Sequence, residues 1–438
     1  MLGTTILGNP TANSLTANLM TTAALDVYFE YGETPEVYTG KTDSVTTTAN
    51  VPAVFVFNGL KADTAYHYRA RYRAPGALNY EMGDVKDFHT QRPVGQTFTF
   101  TIQADSHRDE NSDFDLYKTA LANIRADKPD FHVDLGDTFM TEKFAMTKDE
   151  VVNRYIEERA YFGLIADTIP LLLVNGNHEG EVGWLLNGTD NNLAVWATNA
   201  RLAYYVNPLP DGFYSGDATS YPFVGQRGGY FAWQWGDALF VAIDPFWFTL
   251  KKAAKMPYDG WAWTLGSEQY HWLENVLTTS KAKYKFVFSH HMVGGAPDAR
   301  GGIEPADRWE WGGQNEAGVN EFAAKRPGFS RPIHQLFVDT KVSAWFHGHD
   351  HLYCKQDKDG IVYQEVPQPS HRGENGQQTA MQWGYVAGKI LSSSGHMRVT
   401  VASDKATVEY VKAYLPADET PMAKNGDIGD SYTIMPAP

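Results

Sequence analysis

Leu171-Leu-Leu-Val-Asn-Gly-Asn-His-Glu179 is an apolar run that stops abruptly on a polar tetrapeptide. Leu171 to Val174 has the length and composition of a fully buried strand. Gly176-Asn177-His178-Glu179 offers no apolar continuation and so reads as a loop. The carboxyl end of a buried strand is where open α/β sheets place their sites. Taken alone, Asn177 reads equally as a turn residue and His178 as an ordinary hydrogen-bonded loop residue.

Four more segments repeat the pattern. Phe98–Ala104 runs into Asp105-Ser106-His107, and Asp130–Leu135 into Gly136-Asp137. Tyr284–Phe288 runs into Ser289-His290-His291, and Lys341–Phe346 into His347-Gly348-His349-Asp350-His351. Five apolar strands, each delivering a carboxylate, carboxamide or imidazole at its end, are most economically explained by metal binding. The ligand types are mixed nitrogen and oxygen without thiolate, which favours Fe, Mn, Zn or Co over Ca.

Outward from these strands the chain reads as two domains. Residues 1–93 alternate with period two: Tyr66, Tyr68, Ala70 and Tyr72 share one face of a strand, and His67, Arg69, Arg71 and Arg73 the other. Short strands at this spacing predict an all-β sandwich. Leu60 followed by Asp63-Thr64-Ala65-Tyr66 suggests the tyrosine corner of a fibronectin type III-like module. The arginine face is expected to be a solvated strand face rather than a ligand patch. Pro93 and Gly95 punctuate a linker.

Residues 94–438 alternate strand, loop and helix. Helices are expected from Ser112 or Asp113 to Asp127, over Asp149–Ala166, over Ser267–Thr279 and over Arg331–Thr340. Hairpins are expected around Gly236-Asp237 and Ser403-Asp404-Lys405. Mixed strands with helices outside predict a four-layer α/β/β/α sandwich. The Gly183–Trp263 insert lacks a clear period and is crowded with Trp and Tyr. It reads either as a pocket wall, joined there by Trp309–Gln314, or as a satellite core.

The composition excludes some classes. The 438 residues suffice for a large core, 43% are hydrophobic, and the formal charge is −15, so no nucleic-acid polymer is expected as a partner. A bound metal would still reverse the local sign for a small phosphate ester. The single cysteine, Cys354, leaves no intramolecular disulfide. No run is long enough to span a bilayer. We expect an exported protein, periplasmic or extracellular, whose leader has been removed; a cytoplasmic location stays open, as does the oligomeric state.

In order, Asp105-x-His107, Gly136-Asp137, Gly176-Asn177-His178-Glu179, His290 and Gly348-His349-x-His351 resemble the calcineurin-like metallophosphoesterases. With the front module, the chain looks most like the purple acid phosphatase branch. The resemblance implies a metal-dependent phosphoric ester hydrolase with two metal ions. Asp105, His107 and His351 would bind one ion, Asn177, His290 and His349 the other, and Asp137 both. A bridging hydroxide would attack phosphorus in line while His178 assists the leaving group. Two cations roughly 3.5–4 Å apart suit that displacement. Glu179 is then either the orienter of His178 or half of a structural salt bridge. His291, His347, His132 and Asp134 are expected to be structural, and Arg108 and Arg372 to be ion-paired at the surface.

The chain departs from the branch at Met140, where purple acid phosphatases carry an iron-binding tyrosine. No purple colour is expected, and the first metal's identity is open. Specificity for diesters or nucleotides is the alternative to a general phosphomonoesterase. A non-catalytic surface-binding protein with a structural metal is more remote, as is a metallohydrolase of amides or lactones.

Overall fold

The computed structural model describes residues 3–253, 256–373 and 376–437. Met1 and Leu2, with which the first predicted domain begins, lie outside the described residues. The front of the chain forms two antiparallel sheets. One has strands Gly3–Gly8, Ser14–Thr21 and Pro52–Asn58; the other is built on Asp26–Gly32 and Ala65–Arg73. Alternation sends Phe29, Phe55, Phe57, Tyr68 and Phe88 into one shared core. The hydroxyl of Tyr66 accepts the N–H of Lys61 at 2.9 Å, the corner its sequence suggested. On the opposite face Arg69 and Arg71 pair with Glu30, and Arg73 pairs with Asp26. That face is a self-neutralised strand surface.

Behind it, two sheets pack face to face. The first runs in the order Leu171–Leu173, Phe131–Asp134, Phe98–Gln103, Gly395–Val401, Ala406–Lys412, Ile428–Ile434. The 98, 131 and 171 strands are parallel. The second contains the parallel strands Ala238–Ala242, Tyr284–Phe288, Ala344–His347 and Ile361–Glu365. Between the sheets lies an aromatic core in which Phe100 meets Phe131, Phe240 and Phe286. Helices cover both outer faces. Phe114–Asp127 and Lys148–Phe162 lie on one side, and Gly266–Thr279 and Ile333–Asp339 on the other. This is the four-layer α/β/β/α sandwich with a front all-β sandwich. The carboxyl ends of the parallel strands run into the polar loops that carry Asp105, Asp137, His290 and His349.

The local signals worked where the physics is short-range. Asp113 caps its helix by accepting from the N–H groups of Asp115 and Leu116. Several elements were missed, a hairpin and a helix among them. Asp359 and Gly360, at φ 51° and 82°, turn the hairpin from Tyr353–Lys358 into Ile361–Glu365. Inside the aromatic insert, Asn192 caps a helix over Leu193–Tyr204. Most of the insert's aromatics are core rather than pocket wall. Trp247, Trp261 and Trp263 are buried, as are Trp309 and Trp311. Large rings flanking long loops gain more from mutual burial than from exposure on a rim. No helix of the described residues is long and apolar enough to cross a membrane.

Candidate metal centre

The carboxyl ends of the five strands converge from the two sheets. Asp105 Oδ1 lies 3.5 Å from His107 Nε2 and 3.4 Å from His351 Nε2. Asp137 Oδ2 lies 3.1 Å from His290 Nε2, which is 3.2 Å from His349 Nδ1. These make two groups of three potential ligands each, Asp105–His107–His351 and Asp137–His290–His349. Asp137 also faces the first group, 3.7 Å from His107 Nε2. Asn177 sits on the loop that closes over Asp137, where His178 N–H donates to Asp137 Oδ1 at 2.7 Å. Six of the seven residues expected as ligands therefore meet in one place, and Asn177 precedes the His178 that bonds Asp137.

The donor set fits cations. Asp105 Oδ1, His107 Nε2 and Asn177 Oδ1 are buried without a hydrogen-bond partner. Leaving such atoms unpaired costs about 1–3 kcal/mol each unless something outside the chain occupies them. The imidazoles are also oriented from behind. A carbonyl can only accept, so the ring nitrogen facing it carries the proton. His290 Nδ1 faces the Leu135 carbonyl at 3.0 Å, and His349 Nε2 the Asp298 carbonyl at 2.9 Å. With a cation bound, each ring would turn a bare nitrogen inward, the arrangement metal-binding imidazoles take.

Electrostatics follow from this crowding. Burial would raise the carboxyls of Asp105 and Asp137, yet His290 and the other imidazoles hold both well below the usual range. Burial pulls His290 down, but Asp137 and Asp105 outweigh it and raise the ring to about 9. For His349 burial wins, with Arg300 beside it, and the ring is held well below its ordinary value.

The backbone is unusual too. Asp105, His107, Asp137, His349 and His351 all have positive φ, between 47° and 81°. Left-handed non-glycine residues cost about 1 kcal/mol or more each and collect at functional sites. The glycines beside them permit close approach. A Cβ on Gly348 would fall 2.5 Å from Asp105 Oδ2, and one on Gly176 would fall 2.6 Å from Glu179 Oε2.

Glu179 does neither job the sequence suggested. Its carboxylate accepts the backbone N–H groups of Gly176, Asp137, Thr138 and Phe139 at 2.6–3.1 Å. It holds the loop that presents Asp137. His178 is oriented instead by Glu142, whose Oε2 lies 2.9 Å from Nδ1. This leaves His178 Nε2 on the metal side, 3.9 Å from Asp137 Oδ2. Sequence reasoning missed Glu142, and no motif marks it; a tight turn at Met140, φ 56°, brings it round. Arg154 was missed as well. It donates to the carbonyls of Arg108 and Phe139, both at 2.7 Å, and so ties two ligand loops together.

The neighbours read as structural are so placed. His291 is buried against Phe246 and Trp263. His347 stacks on Trp345 and meets Glu365 at 2.6 Å. His132 bonds Thr101, and Asp134 accepts from Gln103 and Thr138. Arg108 pairs with Glu157 but is buried, not at the surface as expected, whereas Arg372 pairs with Asp113 and Asp418 at the surface. Met140 is buried.

A family model described as calcineurin-like phosphoesterase matches residues 98–353, more than half of the chain. Among solved structures the chain is similar to PhoD, at 16% identity and a TM-score of 0.67, covering 98% of this chain and 89% of that one. It is also similar to the purple acid phosphatase PPD1 from yellow lupin (Lupinus luteus) seeds, at 14% identity and a TM-score of 0.63, covering 98% and 74%. At these identities the likeness is one of fold. No curated protein matches the chain in sequence.

Proposed function

Since the chain belongs to the calcineurin-like phosphoesterase family, a family of phosphoric ester hydrolases, we propose that it works through two metal ions, with His178 serving the leaving group. Asp105, His107 and His351 would hold one ion, and Asn177, His290 and His349 the other, with Asp137 shared. Bound there, the two cations would neutralise phosphoryl oxygens and acidify water at neutral pH. The observation that carries this reading is the convergence of both ligand groups on unpartnered buried atoms.

The chain's own residues supply the rest. Asp137 bears on both groups because only a carboxylate offers anionic oxygens to two cations. Asn177 adds an uncharged oxygen, limiting the negative charge packed into the site. Glu142 fixes the proton on His178 Nδ1, so Nε2 is the atom that serves the departing alcohol oxygen. Arg154 and Glu179 hold the ligand loops in register.

The test pairs elemental analysis of the purified protein with hydrolysis of p-nitrophenyl phosphate and bis-p-nitrophenyl phosphate, with and without chelator. Two transition metals per chain and chelator-sensitive activity are expected. Asp137→Asn should lose activity on both esters while the fold survives, and His178→Ala should lose it on an alkyl phosphate, whose alcohol needs a proton to leave. Full activity in both variants sinks the assignment.

A further inference from the structure

We propose that Gln368 is a specificity-determining residue that hydrogen-bonds the alcohol half of the ester, and that this alcohol is an uncharged, polyhydroxylated one: a sugar or a polyol. The inference rests on the phosphoesterase reading and names its substrate class.

A cleft of about 360 Å³ opens beside His107 and His351. Gln368 lines it from the loop following the Ile361–Glu365 strand, which is parallel to the strand leading into His349 and His351. Gln368 is only 4% exposed. Its backbone N–H donates to Ser393 Oγ at 3.1 Å, but its carboxamide has no partner among the described residues. The residue is mostly buried, but its carboxamide reaches the cleft, where it is free to bond a ligand. The backbone that carries it is held in place. Ser393 Oγ donates in turn to the His351 carbonyl at 3.2 Å. Pro367 and Pro369 restrict the backbone on either side. Ser370, two residues on, donates to the carbonyl of Ser106. The Gln368 backbone is thus one hydroxyl away from a candidate metal ligand, on a loop tied to both sheets.

The rest of the cleft decides what the alcohol is. It carries one charge of each sign: Asp109 on one wall, 3.5 Å from His107 Nδ1, and Lys143 on another. Guanidinium groups, the usual clamps for a second anion, are engaged elsewhere. Arg300 donates to the His349 carbonyl and to Asp350, and Arg372 pairs with Asp113 and Asp418. Among the described residues, the rest of the polar lining includes the carboxamides of Asn111, Gln368 and Gln382, with His371 beside them. His371 Nδ1 accepts from the Gly373 N–H, which puts a donor on its Nε2. One aromatic wall, Trp383, stands with Arg300 3.8 Å over its ring. Carboxamides that both give and accept, beside an indole, match vicinal hydroxyls on a carbon skeleton. A flat apolar alcohol would leave the Gln368 amide unpaired, and sites built to bond a hydroxyl discriminate strongly against analogues without it.

The experiment uses the full chain loaded with metal and compares sorbitol 6-phosphate with n-hexyl phosphate, which share a six-carbon chain. Each alcohol is offered as the monoester and as the p-nitrophenyl diester. We expect kcat/KM at least tenfold higher for the sorbitol ester, falling to within about threefold of the hexyl ester in Gln368→Leu. Trp383→Leu, at the cleft wall, should lower the preference severalfold and serves if Gln368→Leu does not fold. Equal or faster cleavage of the hexyl ester by the wild type overturns the inference, as does a sorbitol preference that survives the substitution. Hydrolysis of p-nitrophenyl esters without a polyol preference sinks this inference alone. No hydrolysis of any ester by loaded protein takes the phosphoesterase reading down with it.

Discussion

Removing the carboxylate of Glu142 should slow the enzyme only for substrates whose alcohol needs a proton to leave. Glu142 Oε2 sits 2.9 Å from His178 Nδ1, and the two side chains are 25% and 20% exposed. A hydrogen bond to a charged group contributes about 1.5–3 kcal/mol, and partial exposure places this one at the low end. About 1.4 kcal/mol corresponds to a factor of ten in rate. Glu142→Ala is therefore expected to lower kcat about tenfold on an alkyl phosphate, with KM little changed. Glu142→Gln keeps an oxygen that can accept from Nδ1 but loses the charge, and should cost about threefold. On a p-nitrophenyl ester, whose phenolate departs without a proton, both variants should stay within twofold of the wild type. The assay is steady-state kinetics on a series of esters of rising leaving-group pKa, at constant metal occupancy. Parallel loss across the whole series would refute the reasoning, because it would mean that Glu142 supports the site as a whole rather than the proton on His178.

Glu179→Ala removes the shared acceptor of four buried N–H groups. It should cost at least about 4 kcal/mol and weaken metal retention, read by chemical unfolding and metal content after dialysis; a stability within 1 kcal/mol of wild type contradicts this. Arg154→Met unties the loops bearing His107 and Asp137 and should raise the dissociation constant for metal about tenfold in a calorimetric titration, the usual effect of losing a group that supports ligands from behind. Unchanged affinity would leave Arg154 with a packing role only. Lys412 is buried, which lowers its ammonium to about 8. Because the folded value is depressed, the group destabilises the fold while protonated, and the penalty fades as pH rises from 8 towards the unfolded value. Carbonyl contacts from Ser392 and Ser393 offset part of it. Between pH 7 and pH 10 the wild type should gain about 2 kcal/mol relative to Lys412→Met in denaturant unfolding, and parallel pH dependence of the two proteins rules the mechanism out.

Much of the architecture was legible in the sequence because strands buried on both faces leave little freedom. Phe98–Gln103 and Tyr284–Phe288 are buried along nearly all their length, as strands in the middle of a layered sheet are, and they run into Asp105 and His290 just past their ends. The Gly-Asp, Gly-Asn and Gly-His pairs were legible for a related reason: the glycine carries no Cβ where two loops touch, and the next residues reach past it. The Leu193–Tyr204 helix escaped notice because Trp196 and Tyr204 blur its apolar stripe, although Asn192 marked its start. The Asp359-Gly360 hairpin was missed although its turn dipeptide is a strong signal.

What the sequence withheld is the layer behind the candidate ligands, and the reason is geometric. Asp105, His107, Asp137, His349 and His351 adopt left-handed backbone that their side chains do not favour. At about 1 kcal/mol each, the five together oppose folding by roughly 5 kcal/mol, a sizeable part of a typical domain's stability. Something must hold them there, and the holders come from unrelated places in the chain. Glu179 grips the Asp137 loop, Arg154 reaches from a helix to two loops, and the Asp105 carboxylate accepts the N–H of His349, 244 residues away. None of these pairings has a spacing rule, because each is set by which strands lie side by side. The same holds for Gln368, which meets the cleft only because its strand is the parallel neighbour of the one ending at His347. Ligands announce themselves by residue type at strand ends, whereas the groups that strain and orient them are fixed by topology.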